Sequence, residues 1–292
     1  MEASVTCSRK HLMLTGISSG IGKATLEAAV AAGYHVFGGD RATQSEPAKD
    51  NVDLTPIHLD ITKADDIAAA VATIADHVGD GGLDGLANIA GVGVPGPLET
   101  MPMDRLRFAF DVDVFGQIAL TQPLIPLLRR AKGRIVFIGS IADRTTIPFM
   151  GALSAPKAAI ASLSGALRQE LAPWDIRVIL IEPGFITTGA DTTSKKMIDD
   201  VLDDFTPEQA DLYGSTFKEM SDRGYRVQTS GSAPEGVAAV IVEAFMSAHP
   251  HDHYLTGSKS HLVAALAKLP TGLQDDIKRT AFGLPAEGSM ND

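Results

Sequence analysis

Thr15-Gly16-Ile17-Ser18-Ser19-Gly20-Ile21-Gly22 is the first run in the chain whose residue types and spacing could do chemistry. Its glycines let the backbone turn tightly and come close to a pyrophosphate. Where such a loop opens a helix, the unpaired N–H groups and the positive end of the helix dipole attract the same anion. Gly16, Ser18, Ser19, Gly20, Ile21 and Gly22 are therefore candidate phosphate-binding residues. Asp40 closes the next apolar run, 24 residues after Gly16. A carboxylate there accepts hydrogen bonds from a ribose diol and repels a 2′-phosphate, which favours NAD. Arg41 follows at once and could take up that phosphate, so NADP remains possible. His249, His251 and His253 alternate as metal ligands on one strand face would, but no cysteine or paired carboxylate completes a set. They read as a solvated edge, and no metal is expected.

The elements that must hold this loop are legible as apolar runs. Strands are expected at 10–15, 34–39, 54–59, 83–88, 134–139, 176–181 and 253–256. Helices are expected at 20–32, from Thr62 as N-cap to Val78, at 102–130, 155–171, 234–247, 259–269 and 272–281. Gly33 sits where a left-handed C-cap belongs. The alternation implies an α/β fold, a Rossmann-type doubly wound parallel sheet of about seven strands with helices on both faces. Ligands of such sheets bind beyond the carboxyl ends of the strands. Residues 189–232 interrupt the pattern with polar, mixed-charge sequence, expected as a lid over that site. A C-terminal helical extension spans 258–285, and 1–292 reads as one domain.

With these motifs in place, the chain resembles the short-chain dehydrogenase/reductase family from about residue 10 to residue 285. The TGxxxGIG spacing carries the resemblance. So do Asp60-Ile61 after the third strand, Asn88-Ile89-Ala90-Gly91 after the fourth, and Pro183-Gly184-Phe185-Ile186-Thr187-Thr188 after the sixth. The tail around His253-Tyr254-Leu255-Thr256-Gly257 resembles longer bacterial members related to retinol and 17β-hydroxysteroid dehydrogenases. The resemblance implies cofactor contacts from Asp60, Ile61, Asn88, Ala90, Gly91, Lys157, Pro183, Gly184, Ile186 and Thr188. It also implies a small-molecule substrate and a homodimer or homotetramer built on the two long helices.

The catalytic positions depart from the family. A Ser, a Tyr, a Lys four residues after the Tyr, and an Asn on the long helix work together there. Here the resemblance gives Ser140 and Lys157, but Leu153 at the Tyr position and Asp113 at the Asn position. Leucine cannot move a proton, and losing a positioned acid or base costs about 10²–10⁴ in rate. Three readings stay open. Another group supplies the proton, with Tyr213 or Tyr225 of the lid or a buried Asp113 as candidates. Alternatively the hydride acceptor is an imine, iminium or enone that needs no proton at a heteroatom. Or the fold binds cofactor without redox turnover. Asp113 and Lys157 also fit a structural ion pair. Met101 and Met103 flank a helix start near the expected substrate mouth, where methionine is an adaptable filler.

Composition bounds the rest. Net charge is −11 and basic runs are lacking, which argues against nucleic acid. No run reaches the length of a membrane span. Cys7 is the single cysteine, so no internal disulfide forms, and a cytoplasmic location is expected. Hydrophobic residues make up 45%, enough for a substantial core. Separately, the expected lid and the Leu, Met and Phe residues near the site point to a mostly apolar substrate.

Overall fold

A computed structural model describes residues 9–42, 53–187 and 191–289. Its centre is a seven-stranded parallel sheet in the order β3-β2-β1-β4-β5-β6-β7. The strands are β1 (His11–Thr15), β2 (His35–Asp40), β3 (Leu54–His58), β4 (Gly85–Asn88), β5 (Arg134–Ile138), β6 (Arg177–Pro183) and β7 (His253–Thr256). Each lies within two residues of its sequence expectation.

The two faces of the sheet follow from side-chain alternation. Met13, Phe37, Leu86, Ile135 and Phe137 point into one core. Their chain neighbours Leu12, Leu14, Val36, Ala87, Val136 and Ile138 point into the other. Both faces are covered, so strands read as near-continuous apolar runs. Helices α1 (Gly20–Ala31) and α9 (Pro234–Met246) close the second face. Helices α2 (Ala64–Val78), α4 (Gln117–Ala131) and α5 (Gly151–Leu171) close the first.

Three expectations are corrected. The long helix is α3 (Met103–Phe110) and α4 joined through a π-helical turn, Asp111–Gly116, rather than uninterrupted α-helix. Helix α5 begins at Gly151, four residues before the expected 155, so Leu153 belongs to the helix that carries Lys157. Thr62 does not cap α2: Lys63 is the N-cap, and the Thr62 hydroxyl donates to Asp60 Oδ1 at 2.7 Å. Gly33 does take the left-handed conformation after α1, with φ at 87°.

The expected lid contains α6 (Asp191–Asp203), a turn of helix α7 (Pro207–Gln209), a π-turn (Ala210–Gly214) and α8 (Ser215–Thr229). It holds its own small core, with Val201, Phe217 and Met220 packed against Phe149, Phe205 and Phe282. Arg105 of α3 pairs with Asp204, and Tyr213 bonds to Glu99, fastening this segment to the chain before α3 and to α3 itself. Helices α10 (Ser260–Leu266) and α11 (Thr271–Phe282) complete the chain where the extension was expected. Among the described residues, no helix is long and apolar enough to cross a membrane.

Candidate cofactor and active site

The strand order reverses between β1 and β4, and a cleft of about 980 Å³ opens beyond their carboxyl ends. That is where a doubly wound sheet binds ligand. One half is walled by Gly16, Ser18, Ser19, Gly20, Ile21, Gly22, Asp40, Arg41, Asp60 and Ile61. Ala90, Gly91, Ser140, Lys157, Pro183, Gly184 and Ile186 also line it. The sequence motifs thus converge on one space from six different strand ends.

The glycine loop is shaped by close approach. Gly16 has φ of 71°, and a Cβ there would meet Ala90 Cα at 3.0 Å. A Cβ on Gly22 would come within 1.9 Å of the Gly16 carbonyl oxygen. Side chains larger than hydrogen would therefore push the loop apart. Ser19 is the N-cap of α1 but makes no side-chain cap bond, so the first amides of the helix are left to a ligand in the cleft. Thr15 fastens the floor: its hydroxyl accepts from the amides of Ile89 at 2.9 Å and Ala90 at 3.0 Å. Gln117 supports the same strand end by donating to the Ala90 carbonyl at 3.0 Å. Neither Thr15 nor Gln117 is flagged by residue type. Only Thr15's place directly before the glycine loop hints at its role.

Asp40 lies at the edge of this half. Its Oδ2 accepts from the Ser18 hydroxyl at 2.8 Å and the Ser18 amide at 3.2 Å. Its Oδ1 accepts from the Ala42 amide at 2.9 Å. The carboxylate is thus fixed in the wall with lone pairs left for a diol. Burial would raise the Asp60 pKa, but the hydroxyl and amide of Thr62 outweigh it and hold the group low. Asn88 needs correction as a cofactor contact. It is fully buried, it donates to Thr121 Oγ1 at 3.0 Å, and it is not part of the cleft wall. The alternation of β4 turns its side chain toward α4. Thr188 lies outside the described residues.

The other half of the cleft is mostly apolar, with Arg105, Asp200 and Ser221 also in its wall. Val92, Val94, Phe108, Ile147, Met150 and Leu153 face Met197, Ile198 and Val201 of α6 and Met220 and Tyr225 of α8. Met101 and Met103 do not line it, and Met103 is exposed. Leu153 is half-buried on α5, one turn before Lys157. Tyr213, bonded to Glu99, is outside the cleft wall, and that bond raises its pKa further. Tyr225 does line the cleft.

Lys157 is buried. Its Nζ donates to the Ile138 carbonyl at 3.1 Å and stands 3.4 Å from Asp113 Oδ1. Asp113 is fully buried behind Gly91 and Lys157 and does not itself line the cleft. Gly91 is required there, since a Cβ would sit 2.6 Å from Asp113 Oδ1. Burial raises the Asp113 pKa, and Lys157 and the Val92 amide offset this only in part. Its Oδ2 is buried without a partner. Ser140 lies two residues after β5, and its hydroxyl accepts from the Ala142 amide at 3.1 Å while facing the cleft.

Sequence reasoning missed a second polar cluster behind Ser140, formed by Asp143, Arg144 and Glu182. His253, exposed on the edge strand β7 as the solvated-edge reading expects, reaches this cluster: its Nδ1 lies 3.4 Å from Glu182 Oε2. No group of metal ligands occurs among the described residues.

These features have close counterparts in known proteins. Residues 10–199 match the model of the short chain dehydrogenase family. The NADPH-dependent 3-dehydrocapnine reductase of Ornithobacterium rhinotracheale is 33% identical, over 92% of this chain and 95% of the relative. Retinol dehydrogenase 16 of Mus musculus is 30% identical, over 92% and 87%. A short chain dehydrogenase from Burkholderia cenocepacia J2315, solved in complex with NADP, is 25% identical with a TM-score of 0.67, over 95% of this chain and 98% of that one. The glycine loop, the switch-point cleft and the fixed Asp40 fit the same dinucleotide class. The chain belongs to the short-chain dehydrogenase family and binds a nicotinamide dinucleotide, NAD or NADP.

Proposed function

We propose that this protein is an oxidoreductase whose site does without the family's tyrosine and acts on an apolar small molecule. The observation that carries the reading is Leu153, an aliphatic side chain in the cleft wall one turn before Lys157. The bound nicotinamide supplies or takes up a hydride. The chain's residues do the rest: the α1 N-terminus and glycine loop hold the pyrophosphate, and Asp40 holds the adenosine ribose and favours NAD over NADP. Lys157 holds the nicotinamide ribose. Ser140 orients the substrate through its cleft-facing hydroxyl. Asp113 does not touch substrate but fixes Lys157.

With Leu153 at that place, substrates that need no proton at a heteroatom are favoured, namely an imine carried as its iminium or an enone. Proton delivery by Tyr225, the phenol of the lid that lines the cleft, supports ordinary carbonyl chemistry instead. The apolar walls exclude water and suit an extended hydrophobic substrate. Exposed Phe108, Phe115 and Leu163 on α3, the π-turn and α5 support a homodimer or homotetramer formed there.

Titration with NADH and NADPH, followed by nicotinamide fluorescence, tests the cofactor assignment. Panels of ketones, imines and enones are then added to the bound form. Consumption of reduced cofactor by imines or enones alone supports the tyrosine-free reading. Ketone consumption that a Tyr225→Phe change abolishes supports the lid phenol. Tight binding with no consumption in any panel leaves a cofactor-binding protein without redox turnover.

A further inference from the structure

Behind Ser140, two walls of the cleft are tied together by charge. The turn after β5, Ile141–Asp143, brings Asp143 and then Arg144 against the end of β6. Glu182 lies there, directly before the cleft-lining Pro183 and Gly184, and is 1% exposed. Arg144 grips it with both ends of the guanidinium, Nη2 donating to Oε2 at 2.7 Å and Nε to Oε1. Asp143 reaches back to the Ser140 amide, which donates to Oδ2 at 3.4 Å. The same oxygen presses on Gly139, where a Cβ would stand 2.8 Å away. Asp143 Oδ1 is buried and finds no donor. Yet the Asp143 carboxyl lies within hydrogen-bonding reach of Glu182.

Two carboxyl groups can bond only through a proton, and buried like charges in contact cannot both ionise. One guanidinium faces two carboxyls, so the balanced state is one cation, one anion and one neutral acid. We propose that Asp143 and Glu182 share a single proton, and that the pair is the positioning device that sets Ser140 against Pro183 and Gly184. What this positioning serves rests on the function proposed above, whereas the shared proton is a property of the chain alone.

The surroundings agree. Burial first, and then the Glu182 charge, push Asp143 up to about 7. Burial would raise Glu182 too, but Arg144 outweighs it and holds Glu182 low. Asp143 is therefore the member that carries the proton. His253 from β7 lies against Glu182, and its side chain is half exposed. Lys157 of α5 is engaged by Asp113 and Ile138. Lys259 and His261, beside and within α10, are exposed. His253 is a cation beside Glu182 only when it is protonated, and Lys157 is bonded elsewhere. As pH rises through neutrality, the pair gains a charge without a cation, and the Ser140 turn must part from the end of β6.

Infrared difference spectra of the full chain, recorded without cofactor between about pH 5 and about pH 9, read the proton directly. A protonated-carboxyl band that titrates near neutral pH is expected, and Asp143→Asn should remove it. The Ser140 and Gly184 amide resonances should move with the same midpoint in the natural chain and stay still in the variant. Should Asp143→Asn not fold, Glu182→Gln serves: without the neighbouring charge, the band should titrate at lower pH than in the natural chain. Absence of a neutral band, or a band indifferent to both changes, overturns the shared proton. A band that titrates while both amides stay fixed overturns the positioning role. Loss of NADH binding at every pH would count against the functional reading and leave these readouts intact.

Discussion

Lys157 and Asp113 hold each other beneath the cleft, Nζ 3.4 Å from Oδ1, with side chains 9% and 0% exposed. Removing one member of such a pair leaves a buried charge alone, which costs about 3–5 kcal/mol. Lys157→Met should destabilise the fold by an amount near that range, read as a lowered urea midpoint at unchanged slope. The pH dependence has a defined sign. The Asp113 pKa is raised in the fold, so its contribution is fully present below the unfolded carboxylate pKa and is lost as pH rises through the folded value. Without Lys157 the folded value rises further. The variant should therefore be closest to the natural chain in acid and furthest from it at alkaline pH. A deficit independent of pH would mean that Asp113 is not what Lys157 neutralises.

The glycine loop makes a sharper steric prediction. Gly22→Ala places a methyl 1.9 Å from the Gly16 carbonyl, whereas Gly236→Ala, on α9, meets nothing within 4 Å. Gly22→Ala should lose NADH binding by at least about tenfold, since only about 1.4 kcal/mol of loop distortion is needed for that. Gly236→Ala should bind normally and gain up to about 1 kcal/mol of stability from helix propensity. Equal affinities for both variants in a fluorescence titration would remove the loop from the cofactor site.

That the loop could be found in sequence at all reflects how local its constraints are. Glycine spacing, the apolar strand before it and the Ala-rich helix after it lie within one stretch of chain. The strands were equally legible, because both sheet faces are buried and each strand is a continuous apolar run. What sequence could not reveal depends on contacts between distant elements. Asn88 looked like a cofactor contact from its motif, but the alternation of β4 aims it at Thr121, 33 residues away. The π-turn at Asp111–Gly116 is invisible in composition, since its residues also suit an α-helix. Arg144 and Glu182 are 38 residues apart, and nothing in their types distinguishes them from surface charges.

Cofactor choice turns on Asp40. Its carboxylate is pinned by Ser18 and Ala42, so it cannot swing away from a 2′-phosphate. Asp40→Ser should weaken NADH binding by about tenfold or more, because hydrogen bonds to a charged group are worth about 1.5–3 kcal/mol. It should also strengthen NADPH binding, with Arg41 free to meet the phosphate. The ratio of the two dissociation constants measures both changes at once. An unchanged ratio would place the adenosine ribose elsewhere.

Placing a phenol at position 153 tests the tyrosine-free reading proposed for the site. In Leu153→Tyr the hydroxyl would enter the cleft from the same helix as Lys157, one turn away, and opposite the lid. A positioned acid contributes about 10²–10⁴ in rate, so ketone reduction should rise by a factor in that range. Lys157 sets a limit on the gain. Its ammonium already bonds Asp113 and the Ile138 carbonyl, and the Asp113 carboxylate offsets its charge. Adding Asp113→Asn to Leu153→Tyr keeps a hydrogen-bonding partner but removes the anion, which leaves the Lys157 charge to lower the tyrosine pKa. The double variant should then reduce ketones faster than Leu153→Tyr alone, with its pH profile shifted toward neutral. A double variant no faster than the single one would show that Asp113 does not restrain Lys157. No gain in either would mean that more than the missing phenol separates this site from carbonyl chemistry.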